Sequence, residues 1–426
     1  MRGAVGALAA AVLLSSCSGV SWRAVPSAPS LPSKVRVPRV QHVTPFFNFK
    51  GGKSGSNPVP GLIGDTSDNL YGVTKSGGDL SCAAGDGKGC GLVYELVHVS
   101  GLHFTEKVIH AFHGSDGAFP ASELAGGKGI FFGTTSNGGP NDAGTVFAVV
   151  AKTGKVRTLY TFKGGTDGAF PIGKLYLDAQ GNIFGTTAFG GKAGCVEKGG
   201  TGCGTVFALR QSKSGYSKET LYQFSAGRNG WEPWAGVVPY KGKLYGTTIY
   251  GGNGGCFEGC GTMFELSLGN GSATKKRTVH EFAGGSEGAY SKSPLYVDGA
   301  GNFYGSTQNG GDGSCKIANA DAPGCGTIFK IGSDGTTTVL HRFKGGSDGA
   351  QPYIGLTSFK GRLYGSTIYG NGVIFKLGST GSFRPLQAFE AGAVPSIFLC
   401  AISNELNGTT SVGGKYGYGT IFKLAQ

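Results

Sequence analysis

Leu244 to Leu266 reads LYGTTIYGGNGGCFEGCGTMFEL, two apolar segments flanking a glycine loop that holds two cysteines. Its opening phrase returns as LYGVT from Leu70, FFGTT from Phe131, IFGTT from Ile183, FYGST from Phe303, LYGST from Leu363 and LNGTT from Leu406. With Leu244 that makes seven copies, spaced by roughly 45 to 60 residues, a period in the range of propeller blades. A second phrase follows each copy: GLVYEL, GTVFAV, GTVFAL, GTMFEL, GTIFKI, GVIFKL and GTIFKL, from Gly91, Gly144, Gly204, Gly261, Gly326, Gly372 and Gly419. A third precedes each, an aromatic-ended strand and a glycine turn such as FKGGTDGAFP from Phe162 or FKGGSDGAQP from Phe343.

Each unit reads as four short strands, because apolar and aromatic residues alternate between Gly, Asn, Asp and Ser punctuation. In one unit they run around Leu175, through IFGTT, through GTVFAL and through ETLYQF. No segment has a helical period. Four-stranded sheets that cannot bury both faces alone must stack on their own copies, which predicts an all-β, seven-bladed β-propeller of antiparallel blades. The turns of a parallel β-helix are much shorter than this period. The last unit stops after GTIFKLAQ without a fourth strand, while HVTPFFNF from His42 to Phe49 is a stray fourth strand at the front. That N-terminal strand is expected to complete the last blade and close the ring. The glycine inside each YGTT marks a close backbone approach or a bulge, as crowding near the propeller axis would require.

The first residues address the chain. Arg2 precedes VGALAAAVLL, too short to span a bilayer and ending in Leu14-Ser15-Ser16-Cys17. This resembles the lipobox of bacterial lipoproteins, which implies a signal peptide over 1–16 and a lipid on Cys17. Residues 17–41 form a Ser/Pro-rich basic tether, and 42–426 the propeller. Ser18, in place of an aspartate, favours the outer membrane or cell surface, again by resemblance.

Cys82 and Cys90, Cys195 and Cys203, Cys256 and Cys260, Cys315 and Cys325 all fall in the loop between the second and third strands. Their spacing varies and no His lies near, so staples are expected rather than metal sites. Cys400 is expected to be a buried, unreactive thiol. No metal and no cofactor is expected.

The repeat, with its LYGTT, GG, GTVF and FxGGxDGAxP elements, resembles the GloVer tandem-repeat family of bacterial surface proteins from Phe46 onward. Its order of elements is also similar to that of streptogramin-lyase-like propellers. The resemblance implies an exported propeller and no established activity.

In a four-stranded blade, the loop from strand two to three and the connection to the next blade open on one face. There the residue before the turn's proline varies while its neighbours do not: Asn57, Phe119, Phe170, Glu232, Tyr290, Gln351 and Val394. With Trp231 and Trp234 alongside, the aromatic ones would form a partial collar suited to sugars or peptide side chains. Unconstrained surface explains the variation equally well. His110, His280 and His341 occupy equivalent outer-strand places in different blades and cannot converge on one metal. Asp116, Asp167, Glu287 and Asp348 supply one carboxylate per turn, too few for calcium, and fit side-chain capping of the turn.

No Ser/His/Asp set or carboxylate pair stands out. The net charge of +13 suits anionic neighbours, or simple solubility, since the charges are scattered. The expected role is a monomeric binding propeller for a carbohydrate or an envelope protein, touching membrane only through its lipid and not binding nucleic acid. A lyase-like enzyme and an envelope scaffold are the alternatives.

Overall fold

The computed structural model describes residues 43–82, 88–127, 129–197, 200–269, 272–315, 323–353, 355–369, 372–378, 380–389, 398–402 and 404–425. They form a seven-bladed β-propeller of four-stranded antiparallel blades in a ring. Blade 3 shows the pattern: Tyr176–Leu177, Ile183–Thr187, Thr205–Ser212 and Gly215–Gln223 pair in sequence order. Ring closure follows the expectation. Val43–Asn48 pairs with Thr420–Leu424 and so becomes the outer strand of blade 7.

The repeated phrases explain how the blades hold. The glycine of each YGTT faces the aromatic residue of the next strand. A Cβ on Gly133 would lie 2.5 Å from Phe147 Cζ, and one on Gly185 2.7 Å from Phe207 Cζ. The close approach is therefore to a ring of the neighbouring strand within the blade, rather than to the propeller axis. The second threonine of the phrase bonds the threonine of GTVF, as in Thr187–Thr205 at 2.8 Å and Thr248–Thr262 at 2.9 Å. Both partners are buried, so each satisfies a hydroxyl that would otherwise carry a desolvation cost.

Between blades, the phenylalanine after each outer strand packs on the third-strand aromatic of the next blade. Phe112–Phe147, Phe162–Phe207, Phe224–Phe264, Phe282–Phe329, Phe343–Phe375 and Phe389–Phe422 have centroids 5.0–6.0 Å apart. Phe49–Tyr94, at 5.1 Å, is the seventh contact and joins blade 7 to blade 1. Edge-to-face and tilted pairs of this kind add about 0.5–1.5 kcal/mol beyond area burial.

The inner strand is less regular than the sequence suggests. In blades 1 and 2 it is split, with Ser56–Pro58 and Ala118–Pro120 pairing ahead of Ile63–Gly64 and Ala125–Gly127. In blades 3 to 6 the first piece shrinks to single bridges, such as Ala169 to Phe189 and Trp231 to Tyr250. The variable residue lies in that first piece, and the break follows it.

Among the described residues, no helix is long and apolar enough to cross a membrane. The signal peptide, Cys17 and the tether lie outside the described residues, as does Val394.

Candidate functional site

The variable position has a backbone job. Asn57, Phe119, Phe170, Glu232, Tyr290 and Gln351 all sit in the left-handed region, with φ between 52° and 63°. Each is a non-glycine residue in a conformation that costs roughly 1–2 kcal/mol. A cross-blade hydrogen bond offsets that cost. The amide of Phe119 donates to the Cys90 carbonyl at 2.9 Å, Phe170 to Ala143 at 3.0 Å, Glu232 to Cys203 at 2.9 Å and Tyr290 to Cys260 at 2.9 Å. Gln351 donates to Cys325 at 2.7 Å and Asn57 to Tyr418 at 3.1 Å. The following proline seats on the preceding blade's glycine: a Cβ on Gly144 would lie 2.5 Å from Pro171 Cδ. The turn thus fixes blade register whatever side chain it carries, which frees that side chain to vary.

The side chains do not project as an open collar. Trp231, Glu232, Trp234, Tyr290 and Gln351 are buried, and Asn57, Phe119 and Phe170 half-buried. The aromatic ones of blades 3 to 5 pack among neighbouring rings instead. Phe170 touches Phe189 and Trp234 at 5.5 and 6.2 Å, Trp231 stacks on Tyr250 at 4.4 Å, and Tyr250 meets Tyr290 at 5.5 Å. Tyr290 also reaches outward, donating its hydroxyl to the Phe257 carbonyl at 3.2 Å.

That carbonyl belongs to a stapled loop. Cys82–Cys90, Cys195–Cys203, Cys256–Cys260 and Cys315–Cys325 are disulfides, as expected, with Cα atoms 5.0–5.8 Å apart. All four loops open on the face that carries the glycine turns. They present apolar groups: Phe257 is 75% exposed and Val196, on a hairpin of Val196–Glu197 with Gly200–Thr201, is 77% exposed. Leu80, Tyr416 and Tyr418 are exposed on the same face. Cys400 is fully buried, and its sulfur accepts the Leu62 amide at 3.1 Å.

Residues that break the repeat gather where inner strands meet. Glu123 of blade 2 is buried and ion-paired with Lys174 of blade 3. Burial outweighs the pairing and pushes the Glu123 carboxyl up to about 7. Lys292 lies 5.7 Å from the rings of both Trp234 and Tyr353, within cation–π range. The sequence reading passed over Glu123, Lys174, Lys292 and Tyr353. Their only signal is departure from the repeat, since Gly61, Gly236 and Gly355 stand where Glu123 and Lys174 do.

The histidines pair singly with turn carboxylates: His110 with Asp116 at 2.7 Å, His280 with Glu287 at 2.8 Å and His341 with Asp348 at 3.2 Å. The same carboxylates accept backbone amides of their own turns, as Asp116 does from His113 at 2.9 Å and Asp348 from Lys344 at 2.9 Å. Burial opposes ionisation of Asp116, but these bonds hold its carboxyl below the usual range. Carboxylate and histidine together tie the outer strand to the turn.

Ring closure, cross-blade turns and one face of stapled loops define a disulfide-braced, seven-bladed β-propeller. Among such proteins, the chain belongs to the Gloeobacter/Verrucomicrobia repeat family, which it matches over residues 36–196, 80–315 and 194–367. No curated protein matches it. Similar solved structures include a nidogen/laminin complex, at 14% identity over 71% of this chain and 91% of the other, with a TM-score of 0.42. TolB from Acinetobacter baumannii is 12% identical over 77% and 66%, with a TM-score of 0.40. A gluconolactonase from Xanthomonas campestris is 13% identical over 81% and 97%, with a TM-score of 0.40. The four disulfides suit an oxidising, extracellular or periplasmic compartment.

Proposed function

We propose that this protein is an exported binding module, held at a bacterial membrane by a lipid on Cys17, that takes a carbohydrate or a protein segment on its stapled-loop face. One observation carries the reading: Phe257 and Val196 are about three-quarters exposed on loops that disulfides hold in place. A large apolar side chain left in water on a braced loop is typical of an interaction site, because bracing removes the ordering cost of binding. The buried aromatics beneath, through the Tyr290 bond to the Phe257 carbonyl, support the loop from below. Screening the secreted chain against glycan and peptide arrays, beside a Val196→Ser/Phe257→Ser variant, tests the reading. Binding by the parent and its loss in the variant support it; equal binding by both moves the site elsewhere.

A second reading, an enzyme acting near the axis, is favoured by Glu123, whose carboxyl titrates near neutrality beside Lys174. Turnover lost in Glu123→Gln while binding persists would support it.

A further inference from the structure

Antiparallel blades have two unlike faces, and the chain enters on only one. Val43–Asn48 runs antiparallel to Thr420–Leu424 and leads into the glycine turn at Gly51, which lies on the stapled-loop face. Val43 therefore starts on the opposite face, where the tight turns from strand one to two and three to four lie. The residues preceding Val43 join the propeller there.

That face carries an apolar tip beside the point of entry. The third and fourth strands of blade 1, Leu92–Ser100 and His103–Ala111, have nine residues each, about as long as those of blades 3 and 4 and longer than the five-residue third strands of blades 5 and 6. The extra length lifts the connecting turn, and at its end Val99 is 57% and Leu102 41% exposed. Phe46, near the start of the entering strand, stacks on Phe104 at 5.0 Å, two residues from Leu102. Both strands start from the turn face, so Leu102 and the entering chain sit side by side. Ile130, 44% exposed, begins the second strand of blade 2 on the same face. Lys152, Lys155, Lys213, Lys241, Lys360 and Arg362 stand exposed on its turns.

We infer that the turn face seats on an anionic lipid bilayer, with the Val99–Leu102 tip in the interface and the stapled loops directed away. Exposed apolar side chains on a turn, on a face whose other turns carry these basic residues alongside fewer exposed carboxylates such as Asp68 and Asp334, match what an anionic membrane surface offers: a shallow apolar layer beneath negative head groups. One anchor alone gives weak, reversible attachment; a second contact strengthens it and sets orientation. The inference rests on the membrane-anchored reading above and adds which face meets the lipid.

The test uses the secreted chain with Cys17→Ser, which cannot carry a lipid, mixed with phosphatidylglycerol or phosphatidylcholine vesicles at low salt. The expected result is saturable binding to phosphatidylglycerol alone, weakened by salt and roughly tenfold weaker in Val99→Ser/Leu102→Ser. Both positions are exposed, so the variant should retain the parent's circular dichroism and melting temperature. Phe257→Ser should leave vesicle binding unchanged. Absence of parent binding, equal losses in the tip and Phe257 variants, or a tip-dependent dimer on gel filtration would each overturn the inference. Mass analysis of Cys17 in the membrane-borne chain separates the two ideas: no lipid there, with vesicle binding intact, removes the anchor and leaves the surface.

Discussion

The ring of Phe49 lies edge-to-face with that of Tyr94, their centroids 5.1 Å apart, and this contact joins blade 7, which the N-terminal strand completes, to blade 1. Phe49 follows the strand that completes blade 7, whereas Tyr94 belongs to the third strand of blade 1. Phe49 is fully buried, so Phe49→Ala should cost about 3–5 kcal/mol. Thr44→Ala, at an exposed position in the same strand, should change stability by under about 0.5 kcal/mol. Urea unfolding followed by fluorescence checks both. Similar, small losses would mean that the ring does not depend on its closure.

Glycines in this chain serve two distinct purposes, which alanine separates. At Gly185 a Cβ would strike the buried Phe207 ring at 2.7 Å, and overpacking of that kind costs about 1–3 kcal/mol. Gly164 has φ 74° with nothing within 4 Å, so alanine there meets only backbone strain of about 1–2 kcal/mol. Phe207→Leu should recover part of the Gly185→Ala loss and none of the Gly164→Ala loss. Thermal melts of the single and double variants provide the measurement.

The left-handed residues predict an unusual tolerance. At Phe119, φ is 56°, a value glycine adopts freely and a β-branched residue resists. Phe119→Val should therefore be less stable than Phe119→Gly, although it retains more apolar surface. The reverse order in denaturant midpoints would mean that side-chain packing governs the position.

Acid titration should show two opposed slopes. Glu123 holds its proton up to about 7 when folded, against an ordinary value of 4.5, so the folded state binds more protons between those values. Its contribution makes stability fall as pH rises from about 4.5 to about 7, by at most roughly 3 kcal/mol, and Glu123→Gln should abolish that slope. Glu265 behaves oppositely. Burial disfavours its charge, but Arg277, Lys243 and Tyr245 hold its carboxyl down to about 2. Its contribution is present above about 4.5 and lost as pH falls toward 2. Denaturant midpoints across pH 3 to 8 in the parent, Glu123→Gln and Glu265→Gln test the signs.

The blades, their number, the closing strand and the stapled loops were legible because each is written many times or at a chain end. The role of the variable position was not. Sequence variation at Phe119, Phe170 and Tyr290 suggested freedom, yet a backbone angle is invisible when the residue adopting it is not glycine. Burial was equally hidden, because neighbouring blades supply the cover. Glu123 and Lys174 appear once each in the repeat, and only the ring brings blade 2 against blade 3 to pair them. The exposure of Phe257 has no sequence signal either, because the loop that Cys256–Cys260 closes could bury or present it equally well.

The most direct test of the binding-face account is amide hydrogen exchange on the secreted chain, with and without the strongest array ligand. The account predicts new protection in residues 192–203 and 253–260, the stapled loops of blades 3 and 4, with none in residues 97–105 at the opposite face. Protection confined to 97–105, or spread over neither face, would contradict it.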